Sequence, residues 1–209
     1  MSDRNTRKES NLHGEQEVSE RQHPYKTYLF FSLIGSSVLF LSLVFMYVIW
    51  YNHNNGSIKF VMPKPFIVST IIMLLSSYSL THSLKAFKDD QPKIFLLSLS
   101  TTLLLGISFA ILQVYGWVQL YDSGNFIDGN IGCAFIFVIT GLHFLHVVGG
   151  LFFLLYLSLK AFDNWNDPIK ALVFFSNSYE LVRIDIFNSY WHFIDALWIV
   201  LFFTFLFTL

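Results

Sequence analysis

The sequence predicts an all-α membrane protein, a polytopic bundle of five transmembrane helices. Three observations carry that expectation. The first is composition: 54% of the 209 residues are hydrophobic, 19% are aromatic and only 13% are charged, about half the charge of a soluble domain. A soluble chain of this kind would expose large apolar patches. The second is spacing, because charges cluster and leave gaps long enough to cross a bilayer core. The third is the lack of dyad alternation within those gaps, which argues against a β-barrel. The net charge of -1 gives no basic excess to hold a nucleic acid backbone. A single cysteine, Cys133, excludes an intrachain disulfide and a multi-cysteine metal site.

Residues 1–24 are polar and of mixed sign and are expected to form a disordered cytoplasmic tail. They lack the apolar core of a signal peptide, and Glu9, Glu15, Glu17 and Glu20 do not suit an imported presequence. Residues 25–209 form the expected membrane domain. Its first span, 28–51, holds no charge and ends in Trp50 and Tyr51. A turn over 52–56 and a second span, 66–84, follow. A charged loop, 85–93, leads to span three, 94–120. The loop 122–130 is rich in turn residues. Span four covers 131–159, a mixed segment occupies 160–187, and span five runs from 188 to 209.

An odd number of spans puts the termini on opposite sides. With the N-terminus inside, eleven basic residues fall on the inner side, and Lys59 and Lys64 alone fall outside. That bias predicts an inside N-terminus and an outside C-terminus. Tyr115, Trp117 and Tyr121, and Tyr190 and Trp191, are expected in the interfacial aromatic belts.

Ser98, Thr102, Gly106 and Ala110 stand four apart on span three, a face on which small side chains let another helix approach. Ser69, Ser76 and Ser83 stand seven apart on span two, and their hydroxyls suit either helix packing or a polar transport path. His143 and His146 share a helix face on span four, as His192 and Asp195 do on span five. A carboxylate in a span costs about 2.5–3.5 kcal/mol on insertion scales, so Asp195 needs a partner. Three histidines and an aspartate suit zinc, iron or haem as ligands. They equally suit hydrogen bonds across helices, to lipid or to neighbouring subunits.

The run from Asp128 through Cys133, Thr140, Gly141, His143 and His146 to Gly149 and Gly150 resembles the central signature of haem–copper oxidase subunit III. The run Ser189-Tyr190-Trp191-His192-Phe193-Ile194-Asp195, ending at Trp198, is similar to its C-terminal signature. Pro65 to Ser77 and Phe109 to Trp117 resemble two further helices of that family. The resemblance implies the short five-helix bacterial form of cytochrome c oxidase subunit III, in the cell inner membrane as a multi-pass protein. It implies a non-redox subunit of a proton-pumping terminal oxidase in aerobic respiration. Such a subunit has no catalytic residue, metal or cofactor in this chain, and the haems and copper lie in partner subunits. The partners it implies are catalytic subunit I, subunit II, membrane phospholipids and a larger respiratory supercomplex. His143, His146, Trp191, His192 and Asp195 are then expected as polar anchors to lipid and neighbouring subunits. Gly141, Gly149 and Gly150 join the span-three face as helix-packing residues. The sequence departs from the family at Ser36, where a buried glutamate is usual, and at Gly116, where another is. Asp185 stands in the register of a third. The reading from another class is a free-standing membrane metalloenzyme of the lipid hydroxylase or desaturase type, using His143, His146 and His192. A small transporter would need broken helices and two related halves, which the sequence does not show.

Overall fold

The computed structural model describes residues 2–53, 64–122, 131–165 and 167–208. They form α1 (Ser2–His53), α2 (Lys64–Lys88), α3 (Pro92–Asp122), α4 (Ile131–Trp165), α5 (Pro168–Phe175) and α6 (Ser178–Thr208). Lys26–His53 of α1, together with α2, α3, α4 and α6, are five helices long and apolar enough to cross a membrane. Among the described residues there is no strand. Lys59, most of the 52–56 turn and the Asp128–Asn130 start of the central motif lie outside the described residues.

Two boundaries differ from expectation. The segment 1–24, expected to be disordered, continues α1 back to Ser2. Its many Glu, Gln, Arg and Lys residues are good helix formers, which a reading based on polarity alone passes over. The mixed segment 160–187 is helical over most of its length: α4 extends to Trp165 and α6 starts at Ser178, ten residues before the expected span. Asp167 caps α5, its side chain accepting from the Ile169 N–H at 2.9 Å, with proline in the first turn. The Asn177 side chain accepts from the Tyr179 N–H at 3.0 Å and opens α6.

The turn between α2 and α3 is equally specific. Gln91 N–H bonds Ala86 O at 2.9 Å and Asp90 N–H bonds Phe87 O at 3.3 Å, the paired bonds of a Schellman end. Asp90 holds the left-handed position at φ 52, which a short polar side chain tolerates. Pro92 then starts α3. This tight reversal makes α2 and α3 an antiparallel hairpin. Phe174 and Phe175 of α5 close its end, with Phe174 5.6 Å from Phe87 and Phe175 5.6 Å from Phe95, between ring centres.

α6 is the hub, packing on α1, α2, α4 and α5. Its partners give its direction. Lys26 of α1 meets Asp185 at 2.8 Å, and Tyr47 meets Thr208 at 2.9 Å. α1 and α6 are therefore parallel, while α2 runs antiparallel to both. The core lies in successive layers along α6, built around Phe187 and Trp191, then Ile194 and Trp198, then Leu201 and Phe205.

Candidate functional site

Trp191 is the centre of the packing. It has no exposed surface, and its Nε1–H donates to Ser76 Oγ at 3.1 Å. A Cβ on Gly106 of α3 would stand 2.7 Å from Leu151 and 3.2 Å from the Trp191 ring; one on Gly150 of α4 would stand 3.0 Å from the same ring. The two glycines therefore form the walls of a slot for an indole. Expected at a membrane interface and near lipid, Trp191 instead sits inside the bundle. The reason is the early start of α6, which carries it more than three turns in from Ser178.

The hydroxyl stripe of α2 is engaged in the same way. Ser69 accepts from the Gln113 side-chain amide at 3.0 Å. Thr70 accepts from Trp198 Nε1 at 3.0 Å. Ser79 donates to Ser98 O at 3.0 Å and Ser83 to Phe95 O at 3.4 Å. These groups tie helices together, which leaves the transport reading of the stripe without its polar surface.

On α3, Ser98, Thr102 and Gly106 are buried, and Ala110 is half-buried. Two of the expected packing glycines have no close neighbour within this chain. A Cβ at Gly141 would meet nothing within 4 Å, and one at Gly149 only the Tyr190 hydroxyl at 4.0 Å. Gly116, read from the sequence only as a departure, is a close contact: its Cβ would stand 2.6 Å from Phe66.

The histidines go separate ways. His143 is fully buried and has no hydrogen-bond partner on either nitrogen. It stacks on Trp198 at 5.2 Å, with the edges of Phe40 and Phe109 at 6.5 and 6.1 Å. It is an internal aromatic contact, out of reach of lipid or a neighbouring subunit. His146 points to α1, where Nδ1 donates to Leu142 O at 2.9 Å and Nε2 lies 3.4 Å from Ser36 Oγ. Ser36, the position at which the resemblance leads one to expect a glutamate, thus faces the motif's second histidine.

His192 turns to α2. Thr81 gives its hydrogen to Ser77 O at 3.1 Å, so the ring donates Nε2–H to Thr81 Oγ1 at 3.0 Å. Nδ1 then accepts from Ser77 Oγ at 2.6 Å. Asp195 lies beside this pair, with Oδ2 4.0 Å from His192 Nδ1. The Ser77 hydrogen is already taken, and neither Asp195 oxygen has a hydrogen bond although the residue is 4% exposed. Among the described residues no three His, Cys, Asp or Glu side chains gather as metal ligands. The ligand set of the metalloenzyme reading is therefore dispersed over contacts to α1, α2 and Trp198.

One constellation escaped the sequence reading. Glu180 is 5% exposed and accepts from Lys160 Nζ at 2.7 Å and from Arg183 at 3.0 and 3.2 Å. It locks α4 to the start of α6. Lys160, Asn164, Lys170, Asn177 and Glu180 line a cleft of about 290 Å³, with Ile169, Val173 and Phe174 as its apolar wall. The i, i+3 spacing of Glu180 and Arg183 was its only sequence signal; Lys160 is twenty residues away.

With this geometry in view, known proteins supply the comparison. The family profile described as cytochrome c oxidase subunit III matches residues 4–208 of the chain. Cytochrome c oxidase subunit 3 of Bacillus sp. (strain PS3) is 27% identical over 172 residues, covering 80% of this chain and 78% of that protein. The Corynebacterium diphtheriae protein of the same name is 30% identical over 142 residues, 67% of this chain and 64% of its own length. The Osphranter robustus protein is 34% identical over 137 residues, 65% of this chain, and the match spans 47% of that longer relative.

Proposed function

Because the chain belongs to the cytochrome c oxidase subunit III family, we propose that it serves as the supporting, non-redox subunit of a bacterial terminal oxidase. It is a multi-pass membrane protein, and we place it in the cytoplasmic membrane with the N-terminus inside, as the basic residues direct. Its partners in this reading are the large catalytic subunit, subunit II and phospholipid, with haems and copper held by the partner chains and a larger respiratory assembly as a further setting.

The observation that carries the supporting role is the slot of Trp191 between Gly106 and Gly150. The most specific motif of the chain directs its indole and its serine partner to helix packing. Lipid binding has a natural place in the cleft beside Lys160 and Lys170, where Lys160, paired with Glu180, together with Lys170 and two amides faces an apolar wall. A phosphate would meet Lys170 and the amides of Asn164 and Asn177 there, with an acyl chain along Val173 and Phe174. This seat replaces Trp191 and His143 as the expected lipid contacts.

The test is purification from native membranes in mild detergent. The expected outcome is co-purification with two larger subunits and haem absorbance, together with neither haem nor stoichiometric metal on the separated chain. Asp195→Asn should leave initial oxygen reduction intact. A chain that runs alone and holds one tightly bound iron or zinc would overturn the reading.

A further inference from the structure

Asp195 stands in the seam between α6 and α2. It is 4% exposed, and neither of its oxygens reaches the surface or receives a hydrogen bond. A donor from outside has no access to them, so whatever balances this carboxyl belongs to the seam itself. On α6 the neighbour is His192, with Nδ1 4.0 Å from Asp195 Oδ2. On α2 it is Ser77, whose hydroxyl faces the carboxyl and stands 2.6 Å from the same Nδ1. Thr81 Oγ1 lies 3.0 Å from His192 Nε2 and 3.1 Å from Ser77 O.

Among the described residues, the other titratable side chains around α6 are engaged or placed elsewhere. On α4, His143 stacks on Trp198 and His146 faces Ser36. On α1, Lys26 pairs with Asp185 and Tyr47 bonds Thr208, ten residues before and thirteen after Asp195. Tyr28 of α1 and Tyr78 of α2 are exposed. Lys170 of α5 lines the cleft at Glu180, fifteen residues before Asp195.

The hydrogens of the cluster can be counted. With Asp195 as a carboxylate and His192 neutral, the donors are the Ser77 hydroxyl, the Thr81 hydroxyl and one ring N–H. They serve Nδ1, the Ser77 carbonyl and Thr81 Oγ1, and nothing is left for the carboxylate. A buried charge without a partner is the costliest state of such a group. One added proton closes the cluster. On Asp195, the acid O–H donates to Ser77 Oγ, and Ser77 O–H donates to Nδ1. The alternative places it on the ring: the acid O–H bond breaks as Ser77 Oγ takes that hydrogen, and Ser77 passes its own to Nδ1. Ser77 then donates to a carboxylate and accepts from an imidazolium. The acid form buries no charge and is the resting one.

We propose that Asp195, Ser77 and His192 form a binding site for one proton, which rests on Asp195 and is shared with His192 through the Ser77 hydroxyl. The site goes beyond the oxidase-subunit reading and does not rest on it. Its route to water runs along α2. The His192 side chain is 41% exposed, and its partner Thr81 is one helical turn, about 6 Å, from Lys85 at the charged end of that helix. The bound proton supplies the hydrogen bond that joins Asp195 to α2, so it is a working part of the seam.

Infrared spectra of the protein purified with its bound partners, at neutral pH, test the site. The difference between the unaltered protein and Asp195→Asn should contain the C=O stretch of a protonated carboxyl, shifted in heavy water. A carboxylate stretch in its place overturns the proposal. Ser77→Ala keeps Asp195 and removes a single oxygen, so it reads the site even where Asp195→Asn fails to assemble. There the carboxyl band should move to higher frequency, because the acid O–H has lost its acceptor, and its exchange in heavy water should slow at least tenfold. A band with unchanged frequency and exchange in Ser77→Ala would show that the proton is not shared through Ser77. A chain that purifies alone gives the same readings, so the outcome is separate from oxidase membership.

Discussion

α1 and α6 cross the same membrane side by side, yet they use opposite chemistry. The α1 span is the more apolar of the two, and only Phe40 and Tyr47 in it are buried; the α6 span carries Asn188, His192 and Asp195, and ten of its residues are buried. In water the more apolar helix would be the core. In a bilayer, apolar side chains gain nothing by leaving the lipid tails, and contact is set by close packing and hydrogen bonds. Apolarity in this chain marks where lipid goes, and polarity marks where other helices go. Glycine follows the same division: Gly106 and Gly150 have an indole against them, while Gly35 on α1 has nothing within 4 Å.

The largest expected difference between the two helices' surroundings comes from those glycines. Gly106→Leu should cost about 3 kcal/mol in the stability of the bundle, because Leu151 and Trp191 have no room to give. Gly35→Leu should cost no more than about 0.5 kcal/mol. Reversible unfolding in mixed detergent micelles measures both, and equal costs would break the contrast.

The buried carboxylate comes next. Glu180→Gln leaves Lys160 and Arg183 facing each other without their counter-charge. A fully buried broken pair costs about 3–5 kcal/mol; with these cations about a third exposed the expected loss is about 1–2 kcal/mol. Lys26→Gln removes the exposed α1 ion pair and should cost about 0.5 kcal/mol or less. The Glu180 effect should also survive added salt better, since its pair is less accessible to ions.

Single hydrogen bonds sharpen the comparison on a finer scale. Trp191→Phe removes the donor to Ser76 and opens space in the slot, for about 1–2 kcal/mol. Tyr47→Phe, which removes the α1 bond to Thr208, should cost about 0.6 kcal/mol. Leu41→Ala on the open face of α1, where Leu41 is 57% exposed, should be the smallest change, within about 0.5 kcal/mol. A Leu41 effect as large as that of Trp191 would mean that α1 is packed where it looks bare.

Much of this division was legible in the sequence. Length, apolarity and the lack of strand alternation give the five spans, because in lipid only helices and closed barrels satisfy the backbone. Ser98, Thr102 and Gly106 were legible by their period of four. The ends of α4 and α6 were not. Lys160 and Glu180 look like interfacial charges one at a time and become an interior pair only when the two helices meet. The misplaced start of α6 then put Trp191 in the aromatic belt. For the histidines, spacing i, i+3 does show a shared side. Phe40 stands against both rings, 6.5 Å from His143 and 5.4 Å from His146, and that leaves one ring turned to Trp198 and the other to Ser36. Which neighbour each ring meets depends on α1, a helix about 110 residues earlier in the chain, and no local pattern contains it.

The parallel pairing of α1 with α6 also sets a timetable. The Lys26–Asp185 and Tyr47–Thr208 contacts join residues 159 and 161 positions apart. At about 5–20 residues per second of synthesis, α1 waits about 8–30 s for its main partner. Until α4 arrives with the His146–Ser36 contact, 110 residues on, it must be a competent solitary passenger of the bilayer. A helix carrying the polar edge of α6 would be exposed for much of the wait, whereas α6 itself emerges to find α2, α3 and α4 already there to receive it. The order of these two helices along the chain therefore doubles as an order of tolerance: the one that can endure lipid alone is made earlier, and the one that cannot is made later.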